Sequence, residues 1–118
     1  MGNYQELLVW QKAMDLAEAI YCQTRKFPKE EVYGLTSQIR RAAVSIPSNV
    51  AEGASRAGRK EFIQFLYIAR GSAAEVETQL TLAARLNYLP DNPELFEQLT
   101  SVKQLINGLL RSLKGSVA

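Results

Sequence analysis

Apolar residues recur at spacings of three and four along nearly the whole chain, and the alternation expected of strands is absent. That pattern restricts the chain to helices that bury one stripe each. Breakers cut it into four segments. The first runs from Leu7 to Arg25, with Val9, Ala13, Leu16, Ile20 and Thr24 in one stripe and Trp10 and Tyr21 beside it. Phe27-Pro28 ends it, because the residue before proline disfavours helical angles. The second starts near Leu35 and reaches about Ser55, with Leu35, Ile39, Ala42, Ala43, Ile46 and Val50 facing inward. A breaker from Gly53 to Gly58 precedes the third, expected from Arg59 to Asn87 and on the order of 40 Å long. Its inner stripe is Phe62, Leu66, Ala69, Ala73, Val76, Leu80 and Ala83. Asn92 is positioned to cap the fourth, with Pro93 in the first turn. Leu95, Leu99, Val102, Ile106, Leu109 and Leu113 then form a seam, and Gly115 to Ala118 are expected to fray. Four helices with short links predict an all-α fold: an antiparallel, up-and-down four-helix bundle over 1–118, a single domain.

The stretch from Arg40 to Gly53, RRAAVSIPSNVAEG, breaks the regularity. Pro47 has no amide hydrogen for the carbonyl of Ala43, and an interior proline costs about 3 kcal/mol. A second helix kinked at Pro47, or two short helices meeting there, is expected. Ser45 and Ser48 are candidates to bond backbone groups at the break. The third helix is apolar over more of its circumference than one bundle can bury. Ile68, Leu82 and Leu86 form a second face, and Ile63, Tyr67 and Ala74 a third. These six are the candidate oligomer interface, because exposed apolar patches mark contact sites. The small residues from Ala69 to Ala74 would let a second backbone approach.

Charge is unevenly distributed. The chain carries +2, but the segment 34–73 carries +4 and the flanking segments −1 each. An anionic partner for the middle is the expectation. Arg56, Arg59 and Lys60 open the third helix, where the dipole favours negative charge. Free amides and three cations there suit a phosphate. With Arg40, Arg41 and Arg70 they form the candidate nucleic-acid-binding set. Glu52, Glu75 or Glu77 is expected to pair with an arginine or glutamine between helices.

Catalytic signals are missing. The chain has no histidine, which removes the commonest general acid–base and metal ligand, and its one cysteine, Cys22, forms no internal disulfide. It has no phosphate-binding loop, dinucleotide fingerprint or nucleophile elbow. Catalytic residues, metal and cofactors are therefore expected to be none, and the protein is expected not to be an enzyme. Without a membrane-length apolar run or a signal peptide, a cytoplasmic location is expected.

LLVWQKA (Leu7 to Ala13), Phe27-Pro28, YGL (Tyr33 to Leu35), QIRRAAVSIPSNVAEG (Gln38 to Gly53), KEFIQFLYIARGS (Lys60 to Ser72) and ETQL (Glu77 to Leu80) are specific together. They resemble the four-helix bundle proteins first noticed in intervening sequences of bacterial 23S rRNA genes, labelled as ribosomal proteins of the small-subunit series. Such proteins resemble the accessory variability protein of diversity-generating retroelements. The resemblance implies a homo-oligomer, a ring-like pentamer, that binds nucleic acid through basic surface and engages a reverse transcriptase. Five copies of the middle segment would carry about +20. No catalytic residues come with the family. Three functions follow for weighing: an oligomeric binder of RNA or DNA, a protein–protein interaction scaffold with no direct nucleic-acid role, and a small enzyme with paired carboxylates in a deep pocket.

Overall fold

A computed structural model describes residues 3–115. A short 3-10 turn, Tyr4–Glu6, leads into α1 (Leu8–Thr24). A second such turn, Lys29–Glu31, leads into α2 (Leu35–Ala54), followed by α3 (Arg59–Arg85) and α4 (Pro93–Gly115). No strand occurs among the described residues. Each helix packs on its sequence neighbours, and α4 closes the circuit against α1. That is the up-and-down four-helix bundle the periodicity predicts, drawn out to 48 × 23 × 20 Å. Helix bounds fall within two residues of expectation, the usual scatter of helix ends. The expected fraying falls largely on residues 116–118, outside the described residues; Gly115 closes α4.

The core is the set of stripes read from spacing. Every residue expected in the inner stripes of α1, α2 and α3 is buried. In α4 the seam ends differently: Leu110 is buried and Leu109 only half-buried. A straight helix turns every 3.6 residues, so a strict 3.5 repeat drifts off the core by the fourth turn. Burying each large aliphatic side chain contributes about 1.5–3 kcal/mol, so these stripes hold the fold together.

Helix ends are satisfied by named groups. Asn92 accepts from the Leu95 amide at 3.2 Å, with Pro93 first in α4, as the sequence predicts. Asn87, at φ 64°, takes the left-handed turn after α3. The Tyr88 amide then bonds the Ala83 carbonyl at 2.9 Å and the Asn87 amide the Ala84 carbonyl at 3.1 Å, a Schellman end. Glu31 bridges two connections: it accepts from the Leu35 amide at 3.0 Å and from the Tyr88 hydroxyl at 2.9 Å. Its carboxylate raises the Tyr88 phenol above the ordinary 10.0, chiefly through that hydrogen bond, with burial adding.

α2 runs through Pro47 as one helix, not as two short ones. Ser45 does not serve the break. Its hydroxyl meets the Ser72 hydroxyl across the α2–α3 contact at 2.8 Å and accepts from Asn49 at 2.9 Å. The expected breaker shrinks as well, because Gly53 lies buried inside α2. A Cβ there would sit 2.7 Å from Phe65 Cβ and 3.0 Å from the Phe62 ring. Glycine is what lets the end of α2 close on the start of α3.

Candidate nucleic-acid interface

The six cations singled out in the sequence occupy several surfaces. Arg40 ties α2 to the end of α1. Its Nε donates to Thr24 Oγ1 at 2.8 Å and Nη2 to the Tyr21 carbonyl at 3.3 Å, with the guanidinium 4.6 Å from the Tyr21 ring centroid. A cation on the last carbonyls of a helix offsets its dipole, so Arg40 has a structural task. Arg41 is exposed and shares an open groove with Arg40, lined also by Tyr21, Val32, Thr36 and Val44. It also borders a second groove between α2 and α3, with Glu75 and Gln79, where Gln79 Oε1 is buried with no hydrogen-bond partner.

The remaining four gather nearer the opposite end. Arg56, in the α2–α3 turn, pairs with Glu52 of α2 at 2.7 Å and lies 5.2 Å from the Phe65 ring centroid. Both partners are about half exposed, so the pair adds a few tenths of a kcal/mol. Arg59 and Lys60 are exposed in the first turn of α3. Arg70 stands three turns further on, on the side facing α4. Its guanidinium lies 4.7 Å from the Tyr67 ring centroid, and it donates to Asn107 Oδ1 at 3.3 Å.

Antiparallel packing brings two further cations to this place, Arg111 and Lys114 in the last turns of α4. Lys114 donates to the Tyr67 hydroxyl at 2.5 Å and lies 5.2 Å from the ring centroid. A groove of about 580 Å³ is lined by Tyr67, Arg70, Asn107, Leu110, Arg111, Lys114 and Gly115. Among the described residues its lining holds three cations and no carboxylate. The Lys114 hydrogen bond holds the Tyr67 phenol below the ordinary 10.0; the charges of Lys114 and Arg70 add to this and desolvation opposes it. The sequence signal for Arg111 and Lys114 was the topology: in an up-and-down bundle the last turn of α4 must lie beside the first turns of α3.

The acids are arranged otherwise than expected. Glu77 does bridge helices, but to Lys103 of α4 at 2.7 Å, and both side chains are substantially exposed. Glu52 pairs within α2, and Glu75 borders the Arg41 groove. Asp15, Glu94 and Glu97 line, with Lys12, an open groove between α1 and α4. No group of three potential metal ligands occurs among the described residues.

The candidate interface residues also divide. Ile63 is half-buried against the core, and Tyr67 belongs to the basic groove. Ala74 is exposed, while Ile68, Leu82 and Leu86 keep close to half their surface in solvent. No helix is long and apolar enough to cross a membrane among the described residues.

Comparison with known proteins agrees with this architecture. Residues 5–108 match the family model described as 23S rRNA-intervening sequence protein. No curated protein matches the chain. Among solved structures, a protein of unknown function from the S23 ribosomal protein family of Bacteroides thetaiotaomicron is similar at TM-score 0.80 and 24% identity. The match covers 88% of this chain and 96% of that one, and it supports the same fold.

Proposed function

The chain belongs to the 23S rRNA-intervening sequence protein family, and from that premise we propose a non-enzymatic, self-associating bundle that binds the phosphate backbone of RNA or DNA. The observation that carries this is the collection of cations toward one end: Arg56, Arg59 and Lys60 at the α2–α3 turn, and Arg70, Arg111 and Lys114 around Tyr67. Cations spread along about 16 Å of α3, at 1.5 Å per residue, suit a polyanion better than a small ligand, and their contribution is largely sequence-blind. Arg40 and Arg41 add charge elsewhere on the surface. The family resemblance favours a pentamer, and the exposed Ile68, Leu82 and Leu86 supply apolar surface for copies to share. Assembly would multiply a weak field into a strong one.

Light scattering and filter binding test the two halves of this reading. A mass of several subunits, with RNA binding that weakens steeply from low to physiological salt, is expected. Replacing Arg56, Arg59 and Lys60 with Ala should lower both affinity and the salt slope; a monomer, or binding indifferent to those changes, contradicts the reading.

A second reading rests on a different surface. Tyr33 is 95% exposed, and Val32 and Val44 border the Arg40–Arg41 groove beside it. Unsupported apolar side chains next to arginines suit a protein partner, such as a reverse transcriptase. Capture of a protein through this face after nuclease treatment, with no nucleic acid retained, would favour the scaffold.

A further inference from the structure

Arg70, Arg111 and Lys114 line one groove with no carboxylate beside them among the described residues, and such like charges need an explanation. Lys114 has one in the dipole of α4, whose last turn favours cations, and Arg111 lies just before that turn. Arg70 has none of that kind, because it lies in the middle of α3. It nevertheless joins them over Tyr67, a neutral side chain whose ring and hydroxyl hold two of the three cations. The hydrogen bond of Arg70 to Asn107, its one such bond among the described residues, uses one of its five N–H donors. The guanidinium therefore retains donors for a bidentate partner, and phosphate oxygens match that fork.

We propose that the α3–α4 groove around Tyr67 is a subsite for a phosphomonoester, with Arg70, Arg111 and Lys114 meeting its oxygens and Asn107 and the Tyr67 hydroxyl supplementing them. A phosphomonoester carries close to two negative charges at pH 7, whereas a backbone phosphodiester carries one. Two cations held on one tyrosine, with a third lining the same groove, favour the higher charge. A volume of about 580 Å³ exceeds what a bare phosphate fills and leaves room for an attached nucleoside. The proposal deepens the nucleic-acid reading and rests on it for the source of the group, the phosphorylated end of a strand. The positive surroundings that lower the Tyr67 phenol agree with an anion site but do not distinguish monoester from diester.

The test uses three versions of one ten-nucleotide RNA, with a 5′-phosphate, a 3′-phosphate or neither, and AMP as a separate probe. At least one phosphorylated strand should bind about 5- to 10-fold more tightly than the unphosphorylated one, since its terminal phosphate sets close to two more negative charges against partly exposed cations. AMP should shift the ring signals of Tyr67, assigned through Tyr67→Phe, and raise the pH at which its phenol ionises. The double variant Arg70→Gln with Lys114→Gln should lose the end preference and the AMP shift while keeping helical content. Equal affinity for all three strands, with Tyr67 undisturbed by AMP, overturns the subsite and leaves the general binding reading standing. An AMP shift at Tyr67 with no strand bound supports the subsite and overturns the nucleic-acid reading instead. An end preference that survives the double variant overturns the assignment to this groove.

Discussion

α3 meets its two neighbours in opposite ways. Against α2 it closes to contact because a small residue stands on at least one side of each meeting: Gly53 of α2 lies under Phe62 and Phe65, and Ser45 meets Ser72 hydroxyl to hydroxyl. Against α4 it presents long charged and aromatic side chains, and a groove stays open between Tyr67, Arg70, Arg111 and Lys114. The most distinctive motif, RRAAVSIPSNVAEG, thus belongs mainly to the first side and serves packing. The surface we propose for an anion lies on the second, built from Tyr67 and Arg70 of KEFIQFLYIARGS and from the end of α4, which carries no motif. A conspicuous sequence is not by itself a site.

Glycine substitutions should separate the two surroundings most sharply. Gly53→Val is expected to destabilise the fold by about 2–3 kcal/mol, read as a fall in Tm, because the new side chain collides with Phe65 and Phe62. Gly71, on the exposed side of α3, has nothing within 4 Å of a built Cβ. Gly71→Ala should therefore stabilise by about 1 kcal/mol through helix propensity. Loss of oligomer mass in that variant would place a second copy against this small-residue stretch.

Charge removal comes next in size. Replacing Arg70, Arg111 and Lys114 together with Gln should weaken RNA binding about tenfold at low salt and flatten the salt dependence, since each lost phosphate contact removes about one unit of slope at most. Unfolding free energy should move by no more than about 0.5 kcal/mol, as for other exposed positions. A large stability loss would show that these residues hold the bundle together, as Arg40 does. Ser45→Ala tests the opposite side. It should cost about 1 kcal/mol in denaturant unfolding, with no change in RNA affinity.

The smallest effect concerns two tyrosines. Lys114 lowers the Tyr67 phenol and Glu31 raises that of Tyr88, each chiefly through a hydrogen bond. Tyr67 therefore favours the folded state above pH 10.0, an advantage lost as pH falls through its lowered folded value. The contribution of Tyr88 is full below 10.0 and is lost as pH rises through its raised folded value. In an NMR titration Tyr67 should ionise before Tyr88, and coincident titration would remove the electrostatic contrast.

How far these features were legible follows from how local each one is. The helices and their stripes were readable because apolar spacing is a property of neighbours within one helix. Asn92 and Pro93 announced the start of α4 for the same reason. Arg40 could not be read as a clamp, because Thr24 and the Tyr21 carbonyl lie 16 and 19 residues away. Gly53 read as a breaker, because its missing side chain matters only to α3. The basic groove was half legible: Arg70 stood out by charge, but Arg111 and Lys114 lie in a segment of net negative charge and join it only through antiparallel packing.

Amide hydrogen exchange with and without a short 5′-phosphorylated RNA tests most directly whether the open side of α3 is the one that meets ligand. Added protection is predicted in residues 59–70 and 107–115, with none around Ser45 and Asn49. Protection confined to the Arg40–Arg41 groove, or no change anywhere, would contradict the account.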